Sequence, residues 1–80
     1  FTLYPNPTQG LVNILFNEES ESISGVYIYD AKGSVVFSKE NVQIEQHSFQ
    51  MDLSNEAPGL YFIKVVNGNK VGSKTFSLVR

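Results

Sequence analysis

The sequence predicts an all-β fold, a two-sheet antiparallel sandwich of six or seven short strands, on three observations. Val, Ile, Phe, Tyr and Thr supply 27 of the 80 residues and Ala only two, the balance of strands and not of helices. Short apolar segments recur along the chain, separated by Gly, Pro, Asn and Asp turns. Three of these segments alternate one-sidedly (Val12 to Phe16, Phe49 to Leu53, Phe76 to Leu78), as each sheet of a sandwich requires when its outer side is solvated; this favours a sandwich over a small barrel.

The opening segment, residues 1–4, is an expected edge strand. It is stopped by Pro5-Asn6-Pro7-Thr8-Gln9-Gly10, where two prolines fix φ and remove two donors. Residues 11–16 follow with Val12, Ile14 and Phe16 on the core side. Residues 17–22 carry three acids and read as a solvated loop, lacking the order and the Gly of a calcium loop. Residues 25–30 form a strong strand with Val26 and Ile28 on one face and Tyr27 and Tyr29 on the other. Asp30-Ala31-Lys32-Gly33 then reverses the chain, Asp accepting from the backbone and Gly tolerating positive φ, into a partner strand at residues 34–38.

From residue 39 to 46 the pattern weakens, with Val42 and Ile44 alternating against polar neighbours, and a crossing segment or poorly paired edge strand is expected. Residues 47–53 restore alternation, with Phe49, Met51 and Leu53 inward. After the turn at residues 54–59 comes the most apolar run of the chain, residues 60–66, read as a central strand. Asn67-Gly68-Asn69 is an expected tight reversal. The last strand runs from about Lys70 to Val79, Phe76 and Leu78 facing the core and Lys74 near the rim. The expected core is Val12, Ile14, Phe16, Val26, Ile28, Phe49, Met51, Leu53, Ile63, Phe76 and Leu78.

Six Lys plus Arg stand against eight Asp plus Glu, and there is no Cys. Disulfides and thiolate metal centres are excluded. The five lysines lie dispersed, without the concentrated positive stripe that nucleic acid or anionic lipid demands. No run approaches the roughly 18 apolar residues of a membrane helix. The chain starts in mid-pattern without Met, so residues 1–80 are expected to be one domain, a fragment of a larger secreted protein with any export signal upstream.

Catalysis finds little material. His47 is the sole imidazole, and at the start of a strand it reads as a rim residue and not a general base. Asp30 and Asp52 are the carboxylates an acid/base pair would need, but Asp30 caps a reversal and Asp52 lies outward on its strand. No enzyme, metal site or cofactor is expected.

Three segments in fixed order form a pattern: Tyr4-Pro5-Asn6-Pro7 followed by Gly10, Val26-Tyr27-Ile28-Tyr29-Asp30 with Gly33, and Pro58-Gly59-Leu60-Tyr61-Phe62-Ile63-Lys64-Val65 before the last strand. From Tyr4 to Arg80 the chain resembles the C-terminal sorting domain of proteins exported by the type IX (Por) secretion system of Bacteroidota. The resemblance implies an immunoglobulin-like sandwich of seven strands behind a cargo domain in the same chain. It implies a signal read by the translocation machinery in the periplasm, passage of the cargo across the outer membrane to the cell surface or medium, and removal by a surface sortase-like peptidase, the cargo being released or joined to an anionic lipopolysaccharide.

Carried onto this sequence, the family pattern falls on Tyr4, Pro5, Asn6, Pro7, Gly10, Asp30, Gly33, Gly59 and Tyr61. Each also has an architectural reason to be where it is. The expected recognition residues are those of the last strand and free end: Lys74, Thr75, Phe76, Ser77, Leu78, Val79 and Arg80. The sequence departs from the family in closing on Arg80 where Lys is usual, and in carrying Glu56-Ala57-Pro58 where a Leu is frequent. The principal alternative is a non-catalytic accessory module of a surface enzyme that binds saccharide or spaces domains. It would need two or three of Tyr27, Tyr29, Tyr61 and Phe62 exposed on one face. A strand-lending adhesin would need a missing strand, and the pattern shows no such gap.

Overall fold

A computed structural model describes residues 1–16, 22–43 and 48–79. Seven strands pair as two antiparallel sheets: β1 (Thr2–Tyr4), β2 (Leu11–Leu15) and β5 (Ser48–Asp52) in one, and β4 (Val35–Gln43), β3 (Ser22–Asp30), β6 (Gly59–Asn67) and β7 (Lys70–Leu78) in the other. The expected all-β, two-sheet sandwich is borne out. Of the loop expected at 17–22, Ser22 already belongs to β3; residues 17–21, Ile44, His47 and Arg80 lie outside the described residues.

Alternation does the sorting. Val12 and Ile14 from β2, with Met51 and Leu53 at β5, face Val26 and Ile28 of β3, Tyr61, Ile63 and Val65 of β6, and Phe76 and Leu78 of β7. All are buried, and each fully buried Leu, Ile or Phe contributes about 1.5 to 3 kcal/mol. Phe16 and Phe49, expected in this core, are only partly buried. Phe49 closes a seam between the sheets, meeting Phe37 of β4 at 6.5 Å under the Lys39 ammonium, while Phe16 at the end of β2 meets Phe1 at the neighbouring end of β1, at 6.5 Å. A ring at a seam has core on one side and water on the other, which alternation alone does not reveal.

The weak segment after residue 38 is not a crossing but part of an edge strand, the second of the two expectations. β4 continues to Gln43 at the sheet edge, pairing with β3 on both sides of Asn41. What disturbed its pattern is a local irregularity: Asn41 takes φ 53°. Around it both strands switch faces, so that Ile23 and Val26, three apart, are both buried, and Val42 joins them. An unbroken strand, with its two-residue period, cannot do this. A register shift between the two strands falls between Ile28 and Tyr29.

The turns follow their chemistry. Asp30 Oδ1 accepts from the backbone N–H of Lys32 and of Ser34, both at 2.9 Å, while Gly33 N–H donates to the Asp30 carbonyl at 3.0 Å. Gly33 holds φ 90° and Gly59 φ 153°, both in regions L side chains rarely adopt. Gly33→Val and Gly59→Val are each expected to cost about 1 to 3 kcal/mol by denaturant unfolding, although open space surrounds both Cβ positions. Unchanged midpoints would show the backbone tolerating Val there. The β6–β7 hairpin turns on Gly68-Asn69, one residue later than an Asn-Gly reversal: Asn67 pairs with Lys70, and only Gly68, at 61°, has positive φ. Gly at the first central position is the type II′ pattern.

Candidate functional site

The motif residues scattered along the sequence gather at one end of the sandwich. Asp30 lies opposite Tyr61 across β3 and β6, Tyr61 opposite Phe76, and Gly59 opposite Leu78 across β6 and β7. Leu78 forms a parallel bridge with Thr8 of the opening turn. The same turn reaches the other sheet, where Leu53 N–H donates to the Gly10 carbonyl at 2.8 Å.

The opening turn and the terminal strand therefore form one structure. Thr8 N–H donates to the Ser77 carbonyl at 2.9 Å, Val79 N–H donates to the Thr8 carbonyl at 2.8 Å, and Ser77 N–H donates to Asn6 Oδ1 at 3.2 Å. Residues 77–79 are fastened to residues 6–8 by these three bonds, and to β6 on the other side. The Thr8 side chain, buried, locks the turn itself: its hydroxyl donates to the Leu11 carbonyl and accepts from Gly10 N–H at 3.1 Å. Gly10 is crowded as well as at φ 155°: an added Cβ would stand 3.1 Å from Ser54 Cβ, so Ser54 would have to give way. Pro5 and Pro7, each after a cis peptide bond, Leu11 and Asp52 line an open groove of about 760 Å³ beside it.

At the other turns of this end, the Tyr61 hydroxyl donates to the Ala57 carbonyl while its ring stacks on Phe76, centroids 5.7 Å apart. Asp52 is exposed and accepts from both the hydroxyl and the backbone N–H of Ser54, which hold its carboxyl below its ordinary 3.8. Because the folded value is depressed, the stabilisation is fully present above 3.8 and is lost as pH falls through the lower folded value. An NMR titration of the Asp52 carboxyl should show a midpoint below 3.8 that Ser54→Ala moves back up; a midpoint insensitive to Ser54 would remove this assignment.

Among the expected recognition residues, Lys74, Thr75 and Val79 are exposed, Ser77 is half-buried, and Phe76 and Leu78 point into the core. Lys74 sits at the rim as expected, its ammonium 5.6 Å from the Phe1 ring centre. The four rings that an accessory module would need divide unevenly. Tyr61 is buried, whereas Tyr27, Tyr29 and Phe62 share the outer face of the four-stranded sheet, Tyr29 directly opposite Phe62. Thr8 and its bond to the last strand were missed by sequence reasoning; a Thr two residues before a Gly in a proline-fixed turn is the signal that marks such a lock.

No group of three or more His, Cys, Asp or Glu able to hold a metal exists among the described residues. Among the same residues no helix is long and apolar enough to cross a membrane. Asn6 and Thr8 of the opening turn thus hold the end of the terminal strand, while Asp30 and Gly33 close the β3–β4 turn of the same packed two-sheet domain. Residues 2–78 match the family described as Secretion system C-terminal sorting domain, and the chain belongs to that family. Among curated proteins no match was found. The domain is non-catalytic and acts as a sorting signal for type IX secretion, associating with that machinery and directing cargo to the cell surface.

Proposed function

We propose that the signal is read at the terminal strand and free end, Lys74 through Arg80, and that the remaining motif residues act by holding that strand in place. The observation that carries this reading is the fastening of residues 77–79 to Asn6 and Thr8, which ties the opening motif to the last strand. In the folded domain the contacts fall to Lys74, Thr75, Val79 and Arg80, since Phe76 and Leu78 are core residues. The domain ends a larger secreted protein whose cargo lies upstream, and a surface sortase-like peptidase removes it after translocation.

We infer further that the sandwich is immunoglobulin-like. Its strand order, 1-2-5 against 4-3-6-7, is that of an A-B-E sheet facing a sheet built on C, F and G. Tyr61 near the start of the sixth strand, bonded to a carbonyl four residues upstream, is the tyrosine corner of such folds.

Lys74→Glu combined with Arg80→Glu reverses two charges and leaves the apolar face of β7 intact. The variant is expected to melt close to the parent, since the cation–π attraction between Lys74 and Phe1 is worth about 0.5 to 1 kcal/mol at an exposed site. A reporter carrying it should stay in the periplasm. Normal export of the stable variant would move recognition elsewhere on the sandwich. The outer-face rings Tyr27, Tyr29 and Phe62 favour a second reading, saccharide binding by stacking. Tyrosine fluorescence unchanged on titration with surface polysaccharide would remove it.

A further inference from the structure

Beyond the residues tied down by the opening turn, the outer edge of β7 is open. β7 pairs only with β6, and its Ser77 and Val79 peptide groups point away from β6 to meet Asn6 and Thr8. With the two-residue period of a strand, the peptide groups of Val71, Ser73 and Thr75 point the same way. Among the described residues no backbone partner meets them. The side chains of all three are exposed, Val71 by 61%. The opposite edge of this sheet differs, because β4 is broken by a register shift and by the left-handed Asn41.

Charge is divided along the chain in the same sense. Residues 59–80 carry Lys64, Lys70, Lys74 and Arg80 and no acid. Residues 1–58 carry all eight acids against two lysines. The hairpin that presents the open edge is thus the cationic part of an otherwise acidic domain. Antiparallel pairing of two β7 edges would set Lys70 and Lys74 of one copy beside those of the other, the usual device by which edges avoid self-association.

We infer that the β7 edge at Val71, Ser73 and Thr75 is a docking site for an acidic extended segment of a translocation component, which adds to the four-stranded sheet as a fifth strand. Main-chain bonds to the three peptide groups supply the affinity, and the flanking lysines select an acidic strand over a basic or neutral one. This deepens the terminal-strand reading and rests on it, placing the docked strand just N-terminal to the residues the opening turn holds.

Two measurements test it. The probe is a synthetic peptide, acetyl-Thr-Glu-Val-Glu-Val-Glu-Thr-amide, with a control in which Lys replaces Glu. On the unaltered chain the acidic peptide should slow amide exchange at Val71, Ser73 and Thr75, less so as salt is raised, and the basic peptide should not. Absence of slowing, or equal slowing by the basic peptide, overturns the inference. The second is Ser73→Pro, which deletes only an outward N–H and puts a ring where the docked strand would lie. The folded variant should leave an exported reporter in the periplasm. Normal export of folded Ser73→Pro overturns edge docking while leaving the terminal-strand reading intact, and normal export of the Lys74→Glu, Arg80→Glu variant overturns that reading instead.

Discussion

Phe76→Ala is expected to destabilise the domain by about 3 to 5 kcal/mol, read from the shift in denaturant midpoint at unchanged slope. Phe76 is 1% exposed and among the largest fully buried side chains. Its ring stacks on Tyr61, so truncation removes both the transferred area and a partner that fixes the Tyr61 hydroxyl toward Ala57. An 80-residue domain holds in total about 4 to 12 kcal/mol, so this one substitution consumes a large share of it. Such a variant should also fail in export simply through unfolding, which is why deletion of the last strand cannot by itself identify a recognition residue. A loss below about 1 kcal/mol would mean that the core at this end collapses around the missing ring.

Thr8→Val is expected to cost about 1 to 3 kcal/mol, the cost of leaving the buried Gly10 N–H unsatisfied, with the part-buried Leu11 carbonyl also losing its partner. Val matches the shape of Thr but offers neither a donor to the Leu11 carbonyl nor an acceptor for Gly10 N–H. The consequence should be local as well as global. With the turn loosened, the backbone bonds from Thr8 to Ser77 and Val79 lose their fixed geometry, and amide exchange at Val79 should rise more than exchange at the centre of β6. Thr8→Ser, which keeps the hydroxyl, should recover most of the loss. If Val is tolerated at parental stability, the turn is held by its prolines alone.

These two residues also mark how far the sequence could be read. Phe76 was legible because Lys74, Phe76 and Leu78 alternate with polar neighbours, and period two has a single meaning there. Asp30 and Gly33 were legible because a side-chain acceptor and a positive φ are local properties. Tyr61 was not: in Leu60-Tyr61-Phe62-Ile63 every residue is apolar, and although Ile63 was expected inside, the structure was needed to show Tyr61 inside with it and Leu60 and Phe62 outside. Thr8 was hidden for a different reason. Its partners Ser77 and Val79 lie about seventy residues on, and no local pattern encodes that distance. The continuation of β4 was masked by Asn41, whose left-handed backbone flips the alternation the eye follows.

The motif residues thus become intelligible as a mechanical set. Asn6, Thr8 and Gly10 fix the end of β7 and of β5, while Asp30, Gly59 and Tyr61 fix the turns beside it. On the proposed reading, the rigid end built from the opening turn and the last strand presents the signal in one conformation.

The most direct test of the sorting function is export of a neutral cargo. A periplasmically targeted reporter fused ahead of residues 1–80 should reach the surface or the medium of a type IX-competent host and stay in the periplasm of the same host lacking the translocon. Reporter retained in both hosts, with the fused domain folded, would contradict the account.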